Sequence, residues 1–490
     1  MEKIILIYPD TRNNDSNLIA PLSLIYVATP LRKYYNTKMI DQRLDKDWKH
    51  TLKKELTSQH IICVGISSMT GPQITGGIEA ARIIRKTSPT VPIVWGGVHP
   101  SLLPEEAIKN EFVDIVVIGD GEETFRELVE VLKNGGDKKS VKGIIYKHGN
   151  SVTRTPTRRQ FPINTFDELA YDLIDVEKYK SSPLWTSKRS LPIITSRGCP
   201  YRCAYCYNTA FSNQKWISLS AEQTVLLILD LVKRYHVSGV FLLDDNFFVD
   251  LKRVKKICEF LIAERLNISI YNGNCRVDTI VKMDDALLTL IKKAGFDQLY
   301  LGVESGSNDV LKKIKKDITV EQVLIGNRML KRANIIPFYS FMAGFPFETI
   351  EDIKSTLALM NCLLKENPEA IVYKLQLFTP FPGTELFNHI SRLGMKFPQS
   401  LEEWATFHYD RINYDGFNHK HKKFLENINY YTMFLDQKML SDLSGYLKLF
   451  SSLYSKLLKF RIDRGVYSLM CELYLLNLGR NIRNRLFRRC

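Results

Sequence analysis

Residues 196–206 read SRGCPYRCAYC, and they place three cysteines, Cys199, Cys203 and Cys206, within eight positions of the chain. A cubane iron–sulfur cluster contains four irons, and full ligation by a protein takes four thiolates. Three thiolates leave one iron open, and an open coordination position marks catalysis rather than structure. The alternatives are three inert buried thiols or a zinc site completed by a distant residue. Zinc sites usually have two C-x2-C pairs, and the sequence has no second pair.

The chain as a whole has the composition of a globular protein. Its 490 residues are enough for more than one sizeable core. Its nine cysteines are irregularly spaced outside the triplet, which argues against a secreted disulfide framework and for a reducing compartment. The apolar runs fall short of the roughly 20 residues that span a bilayer, and the first residues turn polar too early for a signal peptide. We therefore expect a cytoplasmic protein.

The sequence contains two series of alternating strand and helix patterns, one on each side of residues 136–190. In the first series, apolar runs such as KIILIYP (3–9) and VPIVWGG (91–97) alternate with helical stretches, which predicts a parallel sheet with helices on both faces. Ligands of such sheets bind beyond the carboxyl ends of the strands. A small hairpin and a connecting segment are expected between residues 136 and 190. Runs such as GVFLLDD (239–245) and FDQLYLGVES (296–305) then predict a full or partial βα barrel.

The cysteine spacing C-x3-C-x2-C, with the aromatic Tyr205 before the last cysteine, resembles the radical S-adenosylmethionine (SAM) superfamily. The resemblance implies a [4Fe–4S] cluster on Cys199, Cys203 and Cys206, whose free iron chelates the amine and carboxylate of SAM. It also implies that one electron splits SAM and gives a 5′-deoxyadenosyl radical, which abstracts hydrogen from the substrate. The missing fourth thiolate is then the position at which SAM enters.

Four later stretches follow in the order in which this family carries its SAM contacts. They are FLLDDNF (241–247), NGNCRVD (272–278), LGVESGS (301–307) and GFPFET (344–349). The first departs from the family's Gly-Gly-Glu-like stretch by having two aspartates, a form common in the cobalamin-linked subgroup. The resemblance implies contacts with the SAM ammonium, carboxylate, ribose and adenine from Asp244, Asp245, Asn246, Arg276, Glu304, Gly344 and Pro346.

The N-terminal half contains GGVHP (96–100) and GDGEETF (119–125), which resemble the cobalamin-binding domain fused to one branch of radical SAM enzymes. That branch includes class B methyltransferases and anaerobic magnesium-protoporphyrin monomethyl ester cyclases, and the resemblance spans about residues 1–390. Glycines at the sheet edge let a flat macrocycle approach the backbone. The candidate cobalamin contacts are Ser67, Thr70, Gly96, Gly97, Gly119, Gly121 and Glu122. A plain nucleotide-binding or flavodoxin-like domain is the alternative for this half.

Other cobalamin folds carry a cobalt-ligating histidine after the second strand, where this sequence has Arg43 in DQRLDKD (41–47). The sequence therefore predicts cobalt without an imidazole ligand from that position. His99 is interpreted as a loop residue near the nucleotide tail of the cofactor rather than as a ligand. Cys63 is interpreted as a buried small hydrophobe, which leaves no set of cysteines there for a second cluster.

The C-terminal hundred residues are predicted to be helical, because apolar residues recur there at helical spacing. His419 and His421 are expected on a solvated or substrate-facing loop rather than in a metal site. The basic tail 479–490 suits an amphipathic helix on an anionic membrane surface, and a frayed basic tail is the equal alternative. The net charge of +15 does not decide between partners.

We expect an α/β protein with a Rossmann-like cobalamin-binding domain (1–140), a linker (141–188), a radical SAM core built as a partial (β/α)6 barrel (189–390) and a helical region (391–490). The resemblance implies carbon methylation, through cobalamin, of a small-molecule or lipid-like substrate. Alternatives are oxidative cyclisation or rearrangement, a non-catalytic cobalamin sensor and an RNA-modifying enzyme. A flavodoxin- or ferredoxin-type reductant is expected as partner, and nucleic acid is not. The sequence does not identify the substrate or the residues that touch it.

Overall fold

The computed structural model describes residues 2–11, 18–58, 60–158, 168–179, 189–407, 419–440 and 445–467. The chain divides into two compact units. The first contains residues 1–274, 289–297 and 379–409, and the second contains residues 275–288, 298–378 and 410–490. No helix in the described ranges is long and apolar enough to cross a bilayer.

The strands and helices alternate along most of the chain. The strands are β1 Lys3–Tyr8, β2 Asn36–Asp41, β3 Ile61–Ser67, β4 Ile93–Gly96, β5 Ile115–Val117, β6 Ile144–His148, β7 Ser151–Arg154, β8 Ser190–Ile193, β9 Ser196–Gly198, β10 Trp216–Ser218, β11 Gly239–Leu242, β12 Ser269–Tyr271, β13 Gly273–Cys275, β14 Gln298–Glu304, β15 Ile336–Ala343, β16 Ile371–Val372 and β17 Gln376–Leu377. The α-helices are α1 Leu22–Ala28, α2 Trp48–Ser58, α3 Gln73–Thr87, α4 Val98–Leu102, α5 Pro104–Ala107, α6 Glu122–Lys133, α7 Asn208–Phe211, α8 Ala221–Tyr235, α9 Leu251–Ala263, α10 Val277–Val281, α11 Asp285–Lys293, α12 Asn308–Lys313, α13 Val320–Arg332, α14 Ile350–Glu366, α15 Glu385–Arg392, α16 Leu401–Trp404, α17 His419–Thr432 and α18 Gly445–Arg464.

The first unit begins with a seven-stranded sheet in the order β2-β1-β3-β4-β5-β6-β7. Strands β1 to β5 pair in parallel, and β6 and β7 form the expected hairpin, which adds antiparallel to the edge at β5. The central strands β1 and β3 are buried along nearly their whole length, as both faces of a parallel sheet require. The order reverses between β1 and β3, and ligands of such sheets bind at this switch point.

The first unit continues with the start of the second βα series. Strands β8, β11 and β12 pair in parallel, in the order β12-β11-β8. Between β8 and β11 the chain makes an antiparallel ribbon of β9 and β10, and the cysteine loop follows β9. Helix α8 begins with a reciprocal capping box between Ser220 and Gln223, which fixes where the chain leaves this ribbon.

The second unit contains the later strands of the series. Strand β15 pairs in parallel with β14, β16 and β17. Helix α14 follows β15 and also begins with a capping box, between Thr349 and Asp352. The mixed α/β class and the helical C-terminal region are as predicted from the sequence, since only helices follow Leu377 in the described residues.

One prediction about the C-terminal region is wrong. His419 and His421 belong to the first turn of α17, a helix of 14 residues, rather than to a loop. The physical reason lies further along the helix, where Leu425, Ile428 and Tyr431 recur at three-residue spacing and are fully buried. This apolar face packs the helix against the core. The helix extends from there towards its N-terminus and includes the polar residues at 419–423. The basic tail lies outside the described residues.

Candidate functional site: the cysteine loop and the glycine-lined cavity

The three cysteines lie on a short loop between β9 and α7. Gly198 enters this loop with φ of 76°, and a Cβ at this position would lie 2.0 Å from the carbonyl oxygen of Lys215. Only glycine fits there. The amide of Cys206 donates to the carbonyl of Cys203 at 3.1 Å, which turns the loop back on itself. Cys203 is buried, and Cys199 and Cys206 are half-buried.

The loop has the donor set that an iron–sulfur cluster needs. Burial raises the pKa of Cys206 to about 12, and the charges of Cys203, Asp245 and Cys199 add to the effect. Thiolates at such a site need a cationic partner, which a bound cluster supplies. No three Cys, His, Asp or Glu side chains of the described chain converge as ligands of a single ion. Each thiolate of a cubane binds a different iron, so its three sulfurs need not share one point.

Asp244 is fully buried against the strand that leads into the cysteine loop. One carboxylate oxygen accepts a bond from the Thr195 amide at 2.7 Å, and the other accepts from the hydroxyls of Thr195, at 2.7 Å, and Ser196. Burial raises the pKa of Asp244, which these donors partly offset. The side chain therefore fixes β9 and the loop after it.

The next two residues reach the loop itself. Asp245 accepts a bond from the Gly198 amide at 2.7 Å and another from the Tyr207 hydroxyl at 3.1 Å. The Asn246 amide nitrogen lies 3.9 Å from the sulfur of Cys199. The Asn246 side-chain oxygen is buried and has no partner among the described residues. An unpaired buried acceptor beside a cluster ligand fits a donor from a bound molecule, such as the ammonium of SAM.

In the second unit, Glu304 ends β14 in a left-handed conformation, with φ of 72°. Its carboxylate is buried and pairs with Lys316 at 2.8 Å. Gly302 makes this pair possible, because a Cβ there would lie 2.5 Å from the Glu304 oxygen and 3.1 Å from the Lys316 nitrogen. A non-glycine residue held at positive φ stores strain of the kind found at functional sites.

The other predicted SAM contacts of the second unit are Arg276, Gly344 and Pro346. The guanidinium of Arg276 donates to Asp278 at 2.8 Å and to the carbonyl of Lys316. Gly344 follows β15 with φ of 91°, and Pro346 is half-buried in the same turn. Sequence reasoning missed the residue that holds this turn, Glu348.

Glu348 is buried, and one of its carboxylate oxygens accepts bonds from the amides of Gly344 and Phe345. Burial raises the pKa of Glu348 to about 8, although both amide bonds act in the opposite direction. The carboxyl group thus organises the backbone of the GFPFET turn. The sequence contained a signal for this contact, since an acid four residues after a glycine that follows a strand can fold back onto that glycine's amide.

An open cavity lies at the carboxyl ends of β3, β4 and β5 in the first unit, and its empty space of about 910 Å³ includes open solvent. Six of the seven predicted cobalamin contacts line it: Ser67, Gly96, Gly97, Gly119, Gly121 and Glu122. Its other walls are mostly apolar, as ligand cavities usually are. They include Leu22, Val27, Val117, Phe125, Ile194 and Phe211.

The glycines shape the rim of this cavity. Gly97 has φ of 98°, and a Cβ there would lie 2.6 Å from the carbonyl oxygen of Ser68. Gly119 has φ of 83° with open space around it, and a Cβ on Gly121 would touch Val27 at 3.1 Å. A wide apolar cavity with a side-chain-free rim fits a flat macrocycle such as a corrin.

The seventh predicted contact, Thr70, does not line the cavity. It is buried, and its hydroxyl lies 3.1 Å from Nδ1 of His99. His99 is itself buried in α4, and burial lowers its pKa to about 4, so the ring is neutral. The prediction that His99 is a loop residue is therefore wrong, because it belongs to α4, where its ring packs edge-on against Trp404 at 5.6 Å.

The cavity wall contains no histidine among the described residues that form it. Arg43, at the position where a cobalt ligand was considered, pairs with Asp41 at 2.6 Å and lies over the ring of Tyr8. Arg43 does not line the cavity either.

The most polar part of the wall was not anticipated from the sequence. Arg197, two residues before Cys199, donates to Glu122 and pairs with Asp120 at 3.3 Å. Burial opposes the charge on Glu122, but Arg197 lowers its pKa overall. Glu122 therefore reaches the cavity as the partner of Arg197. Arg197 lies in SRGCPYRCAYC (196–206) and Glu122 lies in GDGEETF (119–125). The sequence therefore identified both motifs but not the contact between them.

Comparison with known proteins identifies the two domains that the sequence motifs predict, a B12-binding domain and a radical SAM domain. A family model described as the radical SAM superfamily matches residues 193–360, and one described as the B12 binding domain matches residues 13–129. An uncharacterized methyltransferase of Pyrococcus horikoshii is 29% identical over 412 residues, which are 82% of this chain and 86% of that protein. The anaerobic magnesium-protoporphyrin IX monomethyl ester cyclase of Rubrivivax gelatinosus is 26% identical over 400 residues, 79% of this chain and 70% of the cyclase.

A solved structure shares the fold over nearly the whole chain. The cobalamin-dependent S-adenosylmethionine radical enzyme OxsB, with aqua-cobalamin and S-adenosylmethionine bound, superimposes with a TM-score of 0.75 at 20% identity. The match covers 98% of this chain and 75% of that one. The two matched domains imply a [4Fe–4S] cluster, SAM and cobalamin as cofactors, as predicted. The chain thus contains a radical SAM domain and, before it in the sequence, a B12-binding domain.

Proposed function

We propose that this protein is a cobalamin-dependent radical SAM enzyme that methylates an unactivated carbon of a small-molecule or lipid-like substrate. One observation carries the proposal. The glycine-rimmed cavity of the B12-binding domain is walled by Arg197, two residues before Cys199, and by Phe211, in the helix after Cys206. A methyl donor in the cavity and a radical source on the cysteine loop would therefore be neighbours, as transfer between them requires.

Each part of the chain has a task in this proposal. The cluster with SAM supplies a 5′-deoxyadenosyl radical when bound, and cobalamin supplies a transferable methyl group. Cys199, Cys203 and Cys206 hold the cluster. Asp245 and Asn246 are proposed to face the SAM ammonium, and Asp244 to hold the loop beneath them. The other proposed SAM contacts are Arg276 to the carboxylate, Glu304 to the ribose, and the backbone of Gly344 and Pro346 to the adenine.

The cavity residues are proposed to bind cobalamin in two ways. Ser67, Gly96, Gly97, Gly119 and Gly121 would contact the cofactor directly, since they line the cavity and none of them is held in an ion pair, as the cavity-lining Glu122 is. Thr70 and Glu122 would act through other residues. Thr70 is bonded to His99 and Glu122 to Arg197.

Non-methylating chemistry is the second candidate, and a specific relative favours it. The Rubrivivax protein is named a cyclase, whereas the Pyrococcus protein is named a methyltransferase, and both match four fifths of this chain. Oxidative cyclisation would use the same radical without transfer of the methyl group. The fate of a labelled SAM methyl group separates the two candidates.

The domain division that we propose is 1–140 for cobalamin binding, 141–188 as a linker, 189–390 for the radical SAM core and 391–490 for the helical region. The matched ranges 13–129 and 193–360 fall inside the first and third segments. We further propose a cytoplasmic location, because the odd, unpatterned cysteines suit a reducing compartment. A radical SAM enzyme also needs a one-electron reductant, which we propose to be of flavodoxin or ferredoxin type.

Contact with an anionic membrane surface is proposed for the C-terminal region. Helix α18 carries Leu449, Leu453 and Phe460 at helical spacing, each more than half exposed, with Lys448 and Lys456 exposed nearby. Sedimentation with phosphatidylglycerol vesicles tests it. Binding should weaken in Leu453→Ser but not in Leu226→Ser, a matched control in which an equally exposed leucine of α8 is replaced.

The function is tested on anaerobically purified protein reconstituted with iron, sulfide and hydroxocobalamin. About four irons and one cobalt per chain are expected, the content of one cubane and one corrin. With dithionite and SAM, 5′-deoxyadenosine should form in the wild type and in Cys362→Ser, whose thiol lies outside the triplet, but not in Cys203→Ala.

Label from the SAM methyl group should then move to cobalamin and on to an acceptor in cell-derived small-molecule fractions. Iron without cobalt would contradict the methyl-transfer proposal. If the protein binds cobalt and an intact cluster but forms no 5′-deoxyadenosine with any fraction, the result would favour a non-catalytic cobalamin sensor.

A further inference from the structure

An ionic cluster of three residues joins the cavity to the cysteine loop. Arg197 belongs to β9, and Asp120 and Glu122 stand at the turn from β5 into α6. The Arg197 side chain is 17% exposed, and those of Asp120 and Glu122 are 20% and 12% exposed. All three line the cavity.

The contacts of Arg197 are directional. One terminal nitrogen donates to Glu122 at 3.1 Å and lies 3.3 Å from Asp120, and the other donates to the second oxygen of Glu122. The arrangement between Arg197 and Glu122 is therefore bidentate, which fixes the relative orientation of the two side chains as well as their distance. A lysine would keep the charge but could not make the parallel pair of bonds.

A tyrosine of α1, which also lines the cavity, ties the cavity wall to the chain before the cysteine loop a second time. The guanidinium of Arg197 lies 5.2 Å from the centre of the Tyr26 ring, and the Tyr26 hydroxyl donates to the carbonyl of Ile194 at 2.6 Å. Tyr26 belongs to α1, which packs beside α6, and Ile194 precedes the cysteine loop. The cavity wall and the entry to the loop are thus held together at two points.

We infer that Arg197 is a positioning residue that sets the distance between the cobalt in the cavity and the cluster on the loop. The inference rests on the proposed function and deepens it. The guanidinium contacts neither sulfur nor cobalt in this role. It acts through Glu122 on the cavity rim and through the backbone on Cys199, two residues away.

The test measures this distance directly. Full-length protein reconstituted with cluster and cobalamin is reduced so that both cob(II)alamin and the cluster carry one unpaired electron, and pulsed EPR reads their dipolar coupling. Arg197→Lys should retain about four irons and one cobalt per chain but give a broader distribution of distances, and Arg197→Met a still broader one. The matched control is Arg126→Lys, because Arg126 of α6 makes comparable pairs with Glu123 and Glu130 on the outer face of the same helix.

Each outcome has a distinct meaning. A distribution in Arg197→Lys equal to that of Arg126→Lys would overturn the positioning role and leave the proposed function standing. Loss of both metals from Arg197→Lys and from Glu122→Gln would also overturn it, since the ion pair would then serve folding alone. Wild-type protein that takes up iron but no cobalt would refute the proposed function, and the positioning role with it.

Discussion

Replacing Gly302 with alanine should displace the carboxylate of Glu304. The added Cβ would lie 2.5 Å from the Glu304 oxygen, about 1 Å closer than a relaxed contact allows. That oxygen is also the partner of Lys316 at 2.8 Å, and both side chains are less than 10% exposed. Overpacking costs about 1 to 3 kcal/mol, and complete rupture of a buried ion pair costs about 3 to 5 kcal/mol. Since alanine recovers about 0.5 to 1 kcal/mol of strand entropy, we expect a net loss of about 0 to 2.5 kcal/mol if the pair only shifts and of about 2 to 4.5 kcal/mol if it breaks.

The assay compares urea unfolding of the full apo chain with SAM binding to the reconstituted chain. If Glu304 binds the ribose, the variant should also bind SAM at least about tenfold more weakly, the equivalent of about 1.4 kcal/mol. Gly326→Ala is the matched control, because the Cβ added in α13 meets Val277 at an ordinary 3.4 Å and should stabilise the helix by up to about 1 kcal/mol. A Gly302→Ala protein with wild-type stability and wild-type SAM affinity would refute the reasoning.

Three further predictions follow from single contacts. Burial raises the pKa of Glu348 from 4.5 to about 8, so between these pH values the folded chain holds a proton that the unfolded chain releases. The free energy of unfolding should therefore fall as the pH rises from 4.5 to 8. Urea midpoints at pH 5.5 and pH 8 should differ less in Glu348→Gln than in the wild type. Gly97→Ala should lower bound cobalt, because its Cβ would lie 2.6 Å from a backbone oxygen, whereas Gly136→Ala, outside the cavity and with its nearest contact to Val131 at 3.6 Å, should retain it. Equal cobalt in both variants would count against cobalamin binding at the glycine rim. Ser220→Ala should cost about 1 kcal/mol in urea unfolding through loss of the α8 cap, and an unchanged midpoint would contradict the capping argument.

The candidate site residues were identified from patterns that span only a few residues of sequence. The contacts that these residues make could not be identified in that way. Gly97 of GGVHP and Gly119 of GDGEETF stand out because positive φ is a property of a residue and its neighbours in sequence. The spacing of the cysteines is likewise local. The pair of Arg197 with Glu122 joins residues 75 positions apart, and neither motif alone carries a signal that the other is its partner.

Two buried polar residues, Asp244 and His99, have contacts that differ from those expected from the sequence. Asp244 looked like a ligand-facing acid, but its oxygens bond to Thr195 and Ser196. His99 looked like a loop residue, and the structure packs it against Trp404, more than 300 positions away in the chain. A sequence shows that a polar side chain follows a strand, but whether that side chain faces a cavity or the core depends on what packs over it.

The sequence by itself determined the α/β class, the two domain types and the three thiol donors, because strand periodicity, glycine positions and cysteine spacing are all encoded within a few residues. The tertiary structure alone decided which of these groups meet. It joined Arg197 to Glu122 and Asp120, turned Asp244 towards β9 and set Glu304 beside Lys316. The physical reason is that a buried charge is stable only with a partner, and the partner comes from whichever segment the fold brings near.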